Sequence, residues 1–150
     1  MESSDLTSMT PLSELSLATL ISRPGFSLYT TTARQIEDRR SSIDLTASRH
    51  VRAIIDDWHL ISLHRHDTDE VRIHLVGEVR GTRRIRITTP LREIDQAADL
   101  VITQNSVYSL GSRGAGEPSH RHLLAIIHVF HAWGLGLALG MPRIFAGSDD

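Results

Sequence analysis

The chain has 150 residues and a formal net charge of −2, enough for a single core. Its basic residues are all arginine, 16 with no lysine, joined by nine histidines and no cysteine. Without cysteine there is no disulfide, thiolate metal cluster or cysteine nucleophile, and the balanced charge excludes a histone-like binder that neutralises phosphate over its whole surface.

The first ten residues, acidic and hydroxyl-rich, read as a disordered tail without the basic and apolar regions of a secretory signal, so a cytoplasmic location is expected. Residues 11–57 are expected to be mainly helical. Thr10 and Pro11 offer an N-cap and first helical position, and Leu12, Leu15, Leu20 and Ile21 follow at helical spacing. Pro24 and Gly25 end that helix, and the aromatic and β-branched segment from Phe26 to Thr32 predicts a short strand. Ile36, Ile43, Val51, Ile54 and Ile55 then suggest one or two helices broken near Ser41 and Ser42.

From Trp58 five strand-like runs follow: 58–66, 71–80, 83–89, 100–103 and 107–110, which predict an antiparallel meander. Val71, Ile73, Leu75 and Val79 alternate with Arg72, His74, Glu78 and Arg80, the pattern of a sheet buried on one face. Under that assumption, a three-residue loop at Gly81, Thr82 and Arg83 pairs Val79 with Ile85 and Glu78 with Arg86. A loop of Asp67, Thr68 and Asp69 likewise sets Ile61 and Leu63 opposite Leu75 and Ile73. The outward face would then gather His64, His66, Arg72, His74, Arg80, Arg84 and Arg86 around a single acid, Glu78.

Beyond a Gly-rich connector, residues 111–118, a helix is expected from Pro118 to Trp133, with Leu123, Leu124, Ile126, Ile127, Phe130 and Trp133 covering the inner sheet face. The uncharged stretch from Leu123 to Pro142 is long enough to span a bilayer and carries Gly136 and Gly140 at GxxxG spacing. His128, His131 and the glycines favour a soluble helix followed by a Gly-rich turn. The fold class is therefore α+β: a curved meander of about five strands packed by a C-terminal helix, residues 58–150, with N-terminal helices attached.

Arginines on a sheet face suit bidentate capture of carboxylates or phosphates, so Arg72, His74, Arg80, Arg84 and Arg86 are the candidate partner- or anion-binding residues. No aromatic residue is interleaved for base stacking, which favours an acidic partner over nucleic acid. His64 and His66, two apart on one strand with His74 nearby, are weak metal-ligand candidates, although Asp67 falls one position early for an HxHxD arrangement and Arg72 would repel a cation. His122, His128 and His131 lack a carboxylate at ligand spacing and read as helix-flank residues, and no HExxH, GxSxG or phosphate-loop motif is present. No catalytic residue and no cofactor is assigned.

Thr88-Thr89-Pro90, Ile94-Asp95, Thr103 and Asn105-Ser106-Val107-Tyr108-Ser109-Leu110-Gly111 follow one another in a recognisable pattern, with His131-Ala132-Trp133-Gly134 and Leu139-Gly140-Met141-Pro142 after them. This second half of the chain resembles small uncharacterised proteins encoded by proteobacterial phages, plasmids and integrative elements. The matching residues are turn and packing residues, so the resemblance implies a fold and a mobile-element setting rather than an activity. The expectation is a non-enzymatic accessory protein that docks on a protein partner, such as a host-defence component. The alternatives are a nucleic-acid-binding protein using the same arginines and a metal-dependent enzyme; a membrane partner is not expected, and the oligomeric state is left open.

Overall fold

A computed structural model describes residues 15–40, 50–95 and 99–143. The expected tail over 1–10, the Thr10/Pro11 helix start and the break at Ser41 and Ser42 lie outside them. Seven strands form one open sheet: β1 (Phe26–Thr30), β2 (Val51–Arg65), β3 (Glu70–Val79), β4 (Ile85–Ile87), β5 (Leu91–Asp95), β6 (Leu100–Thr103) and β7 (Val107–Leu110). Among the described residues two helices accompany it, the short α1 (Ala33–Asp38) and α2 (His120–Ala132), with a 3-10 turn at Leu17–Thr19. The α+β class and the C-terminal helix are as expected from the sequence.

The helical reading of 11–57 is corrected. Among the described residues of that segment, helix is confined to the 3-10 turn and α1, whereas β1 occupies the expected strand. Val51, Ile54 and Ile55 begin β2, where β-branched side chains fit the pleated surface. The strand order β4-β3-β2-β7-β6-β5 is also not a pure meander, because β2 and β7 run parallel. The length of β2 allows this: β7 pairs along its first half, from Val51 to Ile55, and β1 along its second, from Ile61 to Arg65.

A bulge divides the two halves of β2. Asp57 adopts φ 51°, and Asp57 and Trp58 together face Gly77 between the Asp56–Glu78 and His59–Val76 pairs. A Cβ on Gly77 would lie 2.8 Å from the Asp56 carbonyl oxygen and 3.0 Å from Trp58 Cα, so the bulge needs glycine opposite it.

Both faces of the central strands are covered. On one, Ile61, Leu63, Val76 and Ile87 pack against Leu123, Ile126, Ile127 and Phe130 of α2, with Leu17, Leu20, Leu139 and Met141 closing the margin. On the other, Ile73 and Leu75 of β3 meet Leu91, Ile94, Val101 and Tyr108, so the sheet curls β5–β7 over the face that α2 leaves open. Each apolar side chain fully removed from water contributes about 1.5–3 kcal/mol, and two covered faces let β3 bury five consecutive residues, Ile73 to Gly77.

That second covered face overturns both expected registers. In the β2/β3 pair, Leu60 faces Leu75, Ile61 faces His74 and Leu63 faces Arg72, with a four-residue turn from His66 to Asp69. In the β3/β4 pair, Val76 faces Ile87 and Glu78 faces Ile85, and Val79 N–H donates to the Arg84 carbonyl at 2.9 Å. Gly81, at φ 87°, sits with Arg80 at the centre of the turn that this bond closes, where the Thr82 N–H donates to the Val79 carbonyl at 3.0 Å. Setting Val79 beside Arg84 is unfavourable only if one face is buried. Here Ile85 packs toward α2 while Val79 packs on the opposite core.

Helix α2 starts at a capping box, with Ser119 Oγ accepting the His122 N–H. It ends at Trp133, where Gly134 at φ 81° turns the chain so that Leu135 N–H and Gly136 N–H reach the Phe130 carbonyl. Residues 123–142 are thus a helix and a folded-back turn, and no helix among the described residues is long and apolar enough to cross a membrane.

Candidate docking groove

A one-residue shift in pairing turns every side chain of a strand to the other face, so the expected arginine and histidine surface divides in two. Arg72, His74 and Glu78 of β3, with Arg80 just beyond it, belong to the face that carries α2, as the contacts of His74 with Phe130 and of Glu78 with Arg121 show. His64, His66, Arg84 and Arg86 belong to the other.

Most of these residues have structural partners. Arg80 pairs with Asp56 at 2.8 and 2.9 Å, and Arg86 donates to the Tyr108 hydroxyl at 3.3 Å with its guanidinium 5.9 Å from the ring centroid. Arg84 is exposed beside the turn. The ring nitrogens of His64 bond the Tyr29 hydroxyl at 3.0 Å and the Asp69 carboxylate at 2.6 Å, and His66 bonds Ser27 at 2.9 Å. His64 and His66 stack edge to face, but the sheet separates them from His74, so the three imidazoles do not converge on an ion.

His74 is corrected from an outward-facing residue to a buried one, 2 % exposed between the rings of Phe130 and Trp133, at 5.5 and 5.7 Å. Its Nδ1–H donates to the Thr88 carbonyl at 2.8 Å. Burial pushes its pKa below the usual histidine value, against the opposing pull of that hydrogen bond, so the ring is neutral and Nε2 carries a lone pair. Nε2 is the one buried side-chain nitrogen or oxygen among the described residues without a hydrogen-bond partner. Leaving such an atom unpaired costs on the order of 1–3 kcal/mol, which makes it a place to look for a ligand.

Two adjoining cavities, of about 330 and 310 Å³, share Leu63, Arg72 and Leu135 and so form one groove between the β1–β3 edge and the turn that follows α2. At one end are Arg23, Phe26, Arg65 and Glu70; at the other are His74, Pro90 and Trp133. Arg72 stands at the junction, half-exposed and 3.3 Å from Glu70. Trp133, 38 % exposed, and the nearby Leu137, 66 % exposed, are the large hydrophobics left open to solvent among the described residues. Arginine and tryptophan beside an apolar floor are the residue types that carry binding energy at protein interfaces.

A second cluster escaped the sequence reading. Donor atoms of Asp57, His59 and His122 lie within 4.8 Å of one another, brought together by the β2 bulge and the first turn of α2. Asp57 and His59 are visible as a D-x-H pair, but nothing local announces His122, 63 residues beyond His59. Hydrogen bonds account for His122: Nδ1 accepts the Ser119 backbone N–H at 3.2 Å, so Nε2–H donates to the Asp57 carbonyl at 3.0 Å. That proton occupies the nitrogen that an ion would need, and the imidazole ties α2 to the bulge. His59 stacks edge to face on His122, its pKa lowered chiefly by burial, and Gly114 lies so close that any Cβ there would strike His59 Nε2 and Asp57 Oδ1.

Comparison with protein-family models, curated proteins and solved structures returned no match to this chain, so the groove is interpreted from its own chemistry.

Proposed function

We propose that this chain is a non-catalytic binding protein that docks an acidic segment of a partner protein in the groove beside α2. The carrying observation is the lining: three arginines, Arg23, Arg65 and Arg72, against one acid, Glu70, over an apolar floor that leads to exposed Trp133. Arg65 is held by Asp67 and Arg72 by Glu70, both at exposed positions where ion pairs are weak and exchange readily for a partner's carboxylates. The mobile-element setting follows from the resemblance of the second half, and a component of host defence is the class of partner it suggests. Nucleic-acid binding is the second reading, weakened by the division of the arginines between two faces and by the absence, among the described residues, of exposed aromatic side chains beside Arg84 and Arg86. A metal-dependent enzyme is the third.

Titration calorimetry with a short acidic peptide tests the docking reading. Arg72→Ala is expected to weaken binding roughly tenfold, in line with the loss of a charge-assisted hydrogen bond. Equal affinity for an acidic peptide and its neutral amide counterpart would remove the proposal.

A further inference from the structure

The unpaired Nε2 of His74 says what the far end of the groove accepts. Arg72 and His74 are two apart on β3 and point to the same side, about 6–7 Å apart along the strand. The Thr88 carbonyl commits the Nδ1 proton, so Nε2 offers an acceptor and nothing else. A carboxylate placed there would be repelled, and an aliphatic group would leave the acceptor unpaired. An amine would meet the neighbouring Arg72 cation. Apart from Thr89, the remaining walls, Leu63, Pro90, Trp133 and Leu135, are apolar or aromatic and suit a flat ring.

We propose that the His74 end of the groove is a subsite for a tryptophan or tyrosine side chain of the docked segment. Nε2 is closed off in this structure by the rings packed on His74, so the half-exposed Trp133 turns aside as the segment docks; the indole N–H or phenol O–H then donates to His74 Nε2, and a carboxylate next to it in the partner's chain pairs with Arg72. This inference rests on the docking reading and adds its specificity: an acidic segment is selected by the aromatic residue it carries, because a site built to hydrogen-bond a donor rejects the isostere lacking it.

The test uses the full chain and four acidic heptapeptides that differ only at the central position: tryptophan, its benzothienyl isostere in which sulfur replaces N–H, tyrosine and phenylalanine. Tryptophan is expected to bind roughly tenfold tighter than the isostere, and tyrosine tighter than phenylalanine by a similar factor. In nitrogen-15 spectra of histidine, the His74 Nε2 signal should move on adding the tryptophan peptide and stay in place with the isostere. Equal affinities with an unmoved His74 signal would overturn the subsite while leaving acidic docking intact. If none of the four binds, docking and subsite fall together.

Discussion

Arg80 grips Asp56 through two hydrogen bonds, Nε to Oδ2 at 2.8 Å and Nη2 to Oδ1 at 2.9 Å, and the same Oδ1 accepts the Ser112 N–H at 2.9 Å. One carboxylate thereby joins the β2 bulge, the end of β3 and the connector to α2. Arg80, a candidate binding residue by sequence, works here as a brace, and its guanidinium holds the Asp56 carboxyl well below the usual carboxylate range.

Asp56→Asn should therefore lower the melting temperature near neutral pH. A carboxyl with a depressed folded pKa stabilises above its unfolded value of 3.8, and that stabilisation is lost as pH falls through the folded value. The gap between wild type and variant should shrink in thermal melts taken below pH 3.8. Identical melting curves at pH 7 would show that Arg80 and Ser112 do not depend on the charge.

Two buried histidines set a different pH dependence. The pKa values of His59 and His74 are both lowered, first by burial, so above 6.5 both rings are neutral whether the chain is folded or not. Below 6.5 the unfolded chain takes up protons that the folded chain refuses. The unfolding free energy from denaturant titrations should fall as pH is taken from 7.5 to 5, by at most about 1.4 kcal/mol per pH unit for each histidine. His59→Gln should reduce the slope; an unchanged slope would mean that His59 titrates alike in both states.

Gly77→Ala probes the bulge. Its methyl would press on the Asp56 carbonyl and Trp58 Cα, both backbone atoms that cannot swing aside. Overpacking of this kind costs about 1–3 kcal/mol, measurable by urea unfolding, and a cost near zero would show that the bulge can relax.

Division of the arginines between faces gives a binding prediction. The double variant Arg84→Ala, Arg86→Ala should bind an acidic peptide as the wild type does, whereas Arg72→Ala should not. Should the double variant instead abolish a steeply salt-dependent affinity for DNA or RNA, the nucleic-acid reading would displace the docking one.

Much of the architecture was legible locally. The strand-like runs after Trp58 correspond to strands, β1 forms where aromatic and β-branched residues follow Pro24 and Gly25, and α2 begins beside Pro118 and stops at Gly134. The start of β2 was misread because Val51, Ile54 and Ile55 also suit a helical spacing. Only pairing with Val107 to Leu110, more than 50 residues away, decides for strand.

The candidate site was half legible. Arg72 and His74 were identified, yet their setting was inverted, because parity fixes register only when one face of a sheet is buried. Curling of β5–β7 over Ile73 and Leu75, with α2 on the opposite side, made both faces apolar and shifted each turn by one residue. That shift sent His74 inward and divided the arginines.

From the residues alone came the exclusion of cysteine chemistry, the α+β class, five strand runs from Trp58 onward though not β5, the C-terminal helix and an all-arginine basic set. Those features depend on composition and short-range periodicity. Which arginines share a face, which are spent on Asp56 or Tyr108, and why His74 keeps an unpaired nitrogen beside Trp133 were decided by the tertiary structure. Each of these depends on contacts between strands and a helix far apart in the chain, where burial on two faces outweighs local alternation.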